Sequence, residues 1–99
     1  MKIKLGHKIT FSPRDLHREP LPEREAWPIY FEGFEGITFV LCKVDGLWAI
    51  HELSTALRLT AGHGSKYEAN DKAAYLLGVQ GYAKTKEAIR RALSQEVSV

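Results

Sequence analysis

Apolar and polar residues alternate from Ile3 to Phe11, and this two-residue period is typical of a half-buried β-strand. The pattern predicts one continuous strand over residues 3–11. Every second residue would then lie on one apolar face, and these residues are Ile3, Leu5, His7, Ile9 and Phe11.

A tight hairpin is the strongest local signal in the sequence. Residues 37–44 and 47–53 have the pattern of strands, and the Asp45-Gly46 pair between them favours the positive φ angles of a two-residue turn. A further turn and a short strand over residues 56–60 are predicted to follow. The hairpin is therefore the predicted centre of an antiparallel sheet.

The two-residue turn also predicts the register of the hairpin, in which Val44 faces Leu47 and the pairing continues to Phe39 opposite Glu52. One face then carries small side chains together with Leu47 and His51, and a helix could pack closely on it; the small residues are Val40, Cys42, Val44 and Ala49. The other face carries bulky apolar side chains with charges at its ends: Phe39, Leu41, Lys43, Trp48, Ile50 and Glu52. Because both faces are largely apolar, something must cover the second one, whether a helix, the aromatic segment, a twin subunit or a target.

Two helices are predicted after residue 64. Ser65 and Glu68 have the spacing of a capping box, which marks a helix start. Gly78 stands where a C-terminal glycine cap is expected, and Thr85 could cap a second helix. The predicted apolar stripes are Ala69, Ala73, Leu76 and Leu77 on the first helix and Ala88, Ile89, Ala92 and Leu93 on the second.

The composition of the chain changes in the segment before the hairpin. Residues 12–28 contain all four prolines and a mixed-charge run, which together predict one long loop. Four aromatic residues follow closely at its end, and Gly33 and Gly36 interrupt them, so a bent or bulged strand fits this part better than a helix.

The length of 99 residues suits one domain with one core, and we take residues 1–99 as a single domain. The chain is 44% hydrophobic and 26% charged, which is the composition of an ordinary globular protein. These elements predict an α+β fold, in which an antiparallel sheet of about three to five strands packs against one or two C-terminal helices.

The cysteine content and the hydropathy bear on the compartment. The single cysteine, Cys42, cannot form an internal disulfide, so the sequence favours a cytoplasmic protein. No apolar segment has the length of a signal peptide core or a membrane span, and we expect neither export by that route nor a membrane partner.

Cys42 and His51 come closest to a catalytic arrangement. The hairpin register makes them diagonal neighbours on one face, roughly 7–8 Å apart at the backbone, as a nucleophile and its base could be. A thiol in apolar surroundings is inert, however, unless a cation or a helix start lowers its pKa. The four histidines are too scattered for a zinc site. We therefore predict no enzyme activity, no metal site and no cofactor.

The charged loop and the aromatic residues after it predict a surface for a larger protein or protein complex. Interfaces favour arginine and aromatic anchors beside long loops. The predicted contacts are Arg14, Arg18, Arg24, Trp27, Tyr30, Phe31 and Phe34. A homodimer through the second sheet face is an alternative occupant.

A nucleic-acid-binding domain is the alternative function. Positive charge concentrates on the last helix, where it could contact phosphates. The residues concerned are Lys84, Lys86, Arg90 and Arg91. The net charge of +2 is small for a protein that binds nucleic acid, so this function ranks second.

From Gly46 to Ala73 the chain carries a strand, a Ser54-Thr55 turn, a second strand and a helix that opens with Ser65 and Glu68. This order resembles the sheet-then-helix pattern of short accessory proteins encoded by phages and prophages. The resemblance implies a small counter-defence protein, such as an anti-CRISPR inhibitor, which blocks a larger protein or a nucleoprotein complex by occupying its surface. It implies no catalytic residue.

Overall fold

The computed structural model describes residues 1–97, in which one five-stranded antiparallel sheet precedes two helices. The predicted α+β class is confirmed. In chain order the elements are β1 (Ile3–Leu5), β2 (Ile9–Phe11), β3 (Arg24–Phe31), β4 (Phe39–Val44), β5 (Leu47–Glu52), α1 (Lys66–Gln80) and α2 (Tyr82–Val97). Both β1 and β2 pair with one edge of β3, while β4 pairs with the other edge of β3 and with β5.

The hairpin between β4 and β5 has the predicted register. Val44 pairs with Leu47 at the turn, and the ladder continues without interruption to Phe39 opposite Glu52. Asp45 has a φ of 53° and Gly46 a φ of 78°, as a two-residue turn of this kind requires.

The predicted single strand over residues 3–11 is wrong, because a bulge divides it. Leu5 of β1 pairs with Ile29, whereas Ile9 of β2 pairs with Ala26. Four residue steps from β1 to β2 therefore match only three along β3. One extra residue reverses which face the following side chains occupy. The apolar side chains of β1 and β2 consequently pack on opposite faces of the sheet.

Pro28 in the middle of β3 accounts for the position of this bulge. The N–H and C=O of a residue in an antiparallel strand point to the same neighbour, and the Pro28 carbonyl accepts a hydrogen bond of 2.7 Å from the Gly6 N–H. Because proline has no N–H, the missing hydrogen-bond donor lies on the side of β3 that faces β1 and β2. A bulge on that side tolerates the missing donor. Since β3 begins at Arg24, the predicted loop over residues 12–28 is shorter than expected and ends at residue 23.

The first helix covers the bulky face of the hairpin, not the small-residue face that the sequence predicted. The side chains that α1 buries are two alanines and one leucine: Ala69, Ala73 and Leu77. They pack over buried Phe39, Leu41 and Ile50. Small side chains are needed on only one side of a helix–sheet contact, and here α1 supplies them.

The small-residue face is covered by β2 and by the turns after β5 of the same chain. Phe11 and the partly buried Ala56 pack against Val40 and Cys42, and neither Val40 nor Cys42 has measurable solvent exposure. Both apolar faces of the sheet are therefore buried within one chain.

The segment after the hairpin does not form the predicted strand over residues 56–60. Only Arg58 makes a bridge to β5, opposite His51, while Ala56 has a φ of 61° that is incompatible with an extended strand. This segment instead folds back as turns that cover the end of β5.

The start of α1 is as predicted, but the helix ends are not. The Ser65 hydroxyl accepts a hydrogen bond of 3.1 Å from the Glu68 N–H, so the cap is confirmed. The helix runs through Gly78 and ends at Gly81, whose φ of 82° suits glycine. Thr85 lies inside the first turn of α2, where its hydroxyl donates to the Gly81 carbonyl.

Substitution of Gly62 should destabilise the fold. A Cβ at residue 62 would come within 2.8 Å of Leu47 Cβ, so Gly62→Ala should lower the free energy of unfolding by about 1–3 kcal/mol, measured by chemical denaturation. Gly64→Ala is the matched control, since no described atom lies within 4 Å of the added Cβ. Equal stability of the two variants would contradict the close approach of residue 62 to β5.

Candidate functional site

The aromatic residues predicted to contact a partner do not form one surface. Phe31 and Phe34 are core residues with exposures of 3% and 6%, so their side chains are not available to a partner. Trp27 and Tyr30 lie on opposite faces of β3, because successive side chains of a strand alternate. Tyr30 is exposed and Trp27 is half-buried.

The arginines of the charged loop hold the loop in place. The Arg24 guanidinium donates to the Pro22 carbonyl and, at 2.9 Å, to the Lys43 carbonyl. The Arg18 guanidinium donates to Gln95 on α2 at 3.0 Å. The backbone N–H of Arg14 donates to the Ala56 carbonyl. These contacts join the loop to the hairpin, to α2 and to the turns after β5.

The basic residues of α2 are partly neutralised. Glu87 accepts hydrogen bonds from Arg90 at 2.6 Å and from Arg91 at 3.2 Å, and these contacts lower the pKa of Glu87 to about 2. The Lys86 ammonium lies 5.6 Å from the centre of the Tyr82 ring, and Lys84 is exposed. The positive potential of this helix is therefore weaker than its basic residues alone suggest.

Cys42 and His51 are both buried beneath the covering segments, with exposures of 0% and 1%. Burial raises the pKa of the Cys42 thiol to about 11, so it is protonated at neutral pH. His51 Nδ1 donates to the Ala56 carbonyl at 2.8 Å, and burial lowers the pKa of this imidazole. Within residues 1–97 His51 Nε2 has no hydrogen-bond partner, and no described hydrogen bond joins the two side chains. A nucleophile–base dyad is not assembled in this arrangement.

Among residues 1–97, three of the four most exposed large apolar side chains lie on α1, where sequence reasoning did not place a site, and the fourth is Leu16 in the loop before β3. Tyr67, Tyr75 and Val79 have exposures of 83%, 64% and 71%. With Asp71 they recur every four residues along the helix, and we call these four residues the outer face of α1.

The outer face lies directly opposite the buried stripe of the same helix. Each of its residues is two positions away from Ala69, Ala73 or Leu77, which corresponds to about 200° around an α-helix. A helix on the surface of a globular protein normally pairs an apolar face with a polar one. In α1, apolar side chains occupy both sides, so the helix presents aromatic surface that the fold itself does not use.

A sequence signal for this face was available. The four-residue spacing of Tyr67, Asp71 and Tyr75 is visible beside the buried stripe. The pattern of alanines and leucines predicts only the core-facing stripe, and an aromatic residue cannot be recognised as exposed until the packing of the helix is known.

Two classes of site are not found among residues 1–97. No group of three or more histidine, cysteine, aspartate or glutamate side chains is placed to hold a metal ion. No helix in that range is long and apolar enough to cross a membrane.

Comparisons with protein-family models, with curated proteins and with solved structures found no match to this chain.

The buried imidazole should make stability depend on pH. Because burial lowers the pKa of His51 below its ordinary value of 6.5, the unfolded chain binds the proton more readily, and stability falls as the pH is lowered from about 6.5 toward the depressed pKa of the folded state. The slope from this one group is at most about 1.4 kcal/mol per pH unit. In His51→Asn, whose amide can still donate to the Ala56 carbonyl, the decline between pH 7 and 5 should be smaller. An unchanged slope would exclude His51 as its source.

The buried thiol should be unreactive in the folded protein. Cys42 has no exposed surface and its pKa is raised to about 11, so an aromatic disulfide reagent at pH 7.5 should label it far more slowly in the native state than in denaturant. Labelling in native buffer at the rate of the unfolded chain would show that the cover over this face opens readily.

Proposed function

We propose that this protein is a non-enzymatic binding module that docks a larger protein on the outer face of α1 and modulates it by covering part of its surface. The exposure of Tyr67, Tyr75 and Val79 supports this proposal most directly. Exposed apolar surface without a role in the fold marks interaction sites, and tyrosine is enriched among the residues that dominate binding energy.

The charges of this helix indicate the chemistry of the partner. Asp71 lies one turn from both tyrosines, and within residues 1–97 its carboxylate makes no ion pair or hydrogen bond. The neighbouring Lys72 already lies over the Tyr75 ring at 5.3 Å. An arginine of the partner could pair with the Asp71 carboxylate while its guanidinium plane stacks on a tyrosine ring. The expected partner therefore presents an arginine between apolar side chains.

The dimensions of the face predict a modest interface. The 15 residues of α1 span about 22 Å at the rise of an α-helix. One helix face of that length is smaller than a standard interface of about 1,600 Å², so the interaction should be transient unless neighbouring loops contribute.

Inhibition by steric occlusion follows from the resemblance to phage accessory proteins, and it stays a prediction. A second copy of this chain is the competing occupant of the outer face. Nucleic-acid binding through α2 is the alternative function, and it ranks lower because Glu87 engages both Arg90 and Arg91.

Removal of the two tyrosine rings tests this proposal. Proteins captured on the immobilised chain would be identified and purified, and their affinities for the wild type and for Tyr67→Ala/Tyr75→Ala would be measured by calorimetry. Loss of two anchor residues should weaken binding by at least about 2 kcal/mol, or roughly thirty-fold. Asp71→Arg should weaken it further by repelling the partner's arginine.

Tyr30→Ala is the matched control, because it removes an exposed tyrosine from β3 and leaves α1 untouched. Exposed substitutions change stability by about 0.5 kcal/mol or less, so the fold should persist in every variant. A partner that binds the double variant normally but loses affinity for Tyr30→Ala would move the site to β3. A dimeric solution mass that the double variant abolishes would assign the face to self-association.

A further inference from the structure

The only two tryptophans of the chain meet at the end of the sheet where α1 begins. The ring centres of Trp27 on β3 and Trp48 on β5 are 6.0 Å apart, and the ring planes are inclined by 54°. Both side chains are half-buried, so part of each indole faces solvent. A V-shaped aromatic platform results at one end of the helix-covered face.

Two lysines complete this platform. The Lys66 ammonium lies 5.3 Å from the Trp27 ring centre and 4.8 Å from that of Trp48, and Lys43 lies 5.1 Å from Trp48. Both lysines are exposed. We call these four residues the Trp–Lys site.

The charge of the site is not balanced by nearby carboxylates. In the described part of the chain neither lysine forms an ion pair, and neither indole N–H donates a hydrogen bond. Of the carboxylates closest along the chain, Glu25 pairs with Lys8 at 3.1 Å and Glu68 lies 4.0 Å from His63. Asp45, in the hairpin turn, forms no ion pair with Lys43 or Lys66 in the described residues. The site thus offers two cations and two N–H donors next to aromatic rings.

We propose that the Trp–Lys site binds single-stranded nucleic acid. Its ligand must combine negative charge with flat apolar groups, and a single strand supplies both as phosphates and bases. Bases stack on exposed aromatic side chains with little regard to sequence, while lysines neutralise the adjacent phosphates. An acidic peptide would satisfy the lysines but would leave the indole faces without a stacking partner.

Binding exchanges one set of contacts for another. Lys66 occupies the cleft between the rings in the unbound chain, and its exposed side chain can swing outward. A base then takes its place against the indoles, and the released ammonium pairs with a phosphate. Lys66 is also the first residue of α1, where the helix dipole disfavours a cation, so a phosphate at this position relieves that repulsion.

This site is separate from both surfaces considered above. It includes no residue of the outer face of α1 and none of the basic residues of α2. Whether or not the Trp–Lys site binds nucleic acid, the proposed protein-binding function is therefore unaffected. Nucleic-acid binding at the Trp–Lys site would also not require the basic residues of α2.

Intrinsic fluorescence reports on the site directly, because Trp27 and Trp48 are the only tryptophans in the chain. Titration of the full chain with unlabelled oligothymidine should quench this emission. The logarithm of the binding constant should fall with the logarithm of the salt concentration with a slope of about −1.4, since two phosphates are neutralised on a single strand. Absence of quenching at low salt up to millimolar oligonucleotide would overturn the proposal.

Charge-neutral variants test the location. Lys43→Gln/Lys66→Gln should weaken binding at low salt by about ten-fold and remove most of the salt dependence. Lys84→Gln/Lys86→Gln is the matched control, with the same change in net charge on α2, and should bind like the wild type. Thermal unfolding of both variants verifies the fold.

Two further outcomes would overturn the proposal. If the α2 variant loses binding while Lys43→Gln/Lys66→Gln retains it, the Trp–Lys site is not the ligand site. If polyglutamate of matched charge quenches the emission as strongly as oligothymidine, the site recognises charge alone and is assigned to acidic peptides.

Discussion

The two-residue turn at Asp45-Gly46 sets a constraint that the rest of the structure must satisfy. By fixing the register of β4 and β5, it places Leu41 and Ile50 on one face of the sheet and Val40 and Cys42 on the other. A sheet with two apolar faces is unstable in water unless both are covered. The chain meets this requirement with α1 on one side and with β2 and the connecting turns on the other.

The way in which α1 covers its face decides where binding surface is left. Its alanines pack close over the sheet, so the tyrosines on the opposite side of the helix remain in solvent. The part of the sheet that α1 covers stops at the first turn of the helix, so Trp27 and Trp48 stay half-exposed beside Lys66. Both proposed sites are thus products of a single helix docking.

The cover on the other face has a chemical consequence. It removes Cys42 and His51 from water, keeps the thiol protonated and favours a neutral imidazole. The predicted geometry of the pair is present in the ladder, but the burial that stabilises the fold makes the thiol a poor nucleophile. Folding and catalysis would place opposite demands on this face, and the observed burial serves folding.

What the sequence determined by itself was local. The Asp45-Gly46 turn, the ladder that grows from it and the Ser65 cap depend on residues within a few positions of one another, so their patterns could be interpreted directly. The bulge opposite Pro28, the face on which α1 packs and the exposure of Tyr67 and Tyr75 were decided only by the tertiary structure. Each of these depends on which distant residue becomes a neighbour, and periodicity along one element states which residues share a face but not what that face meets.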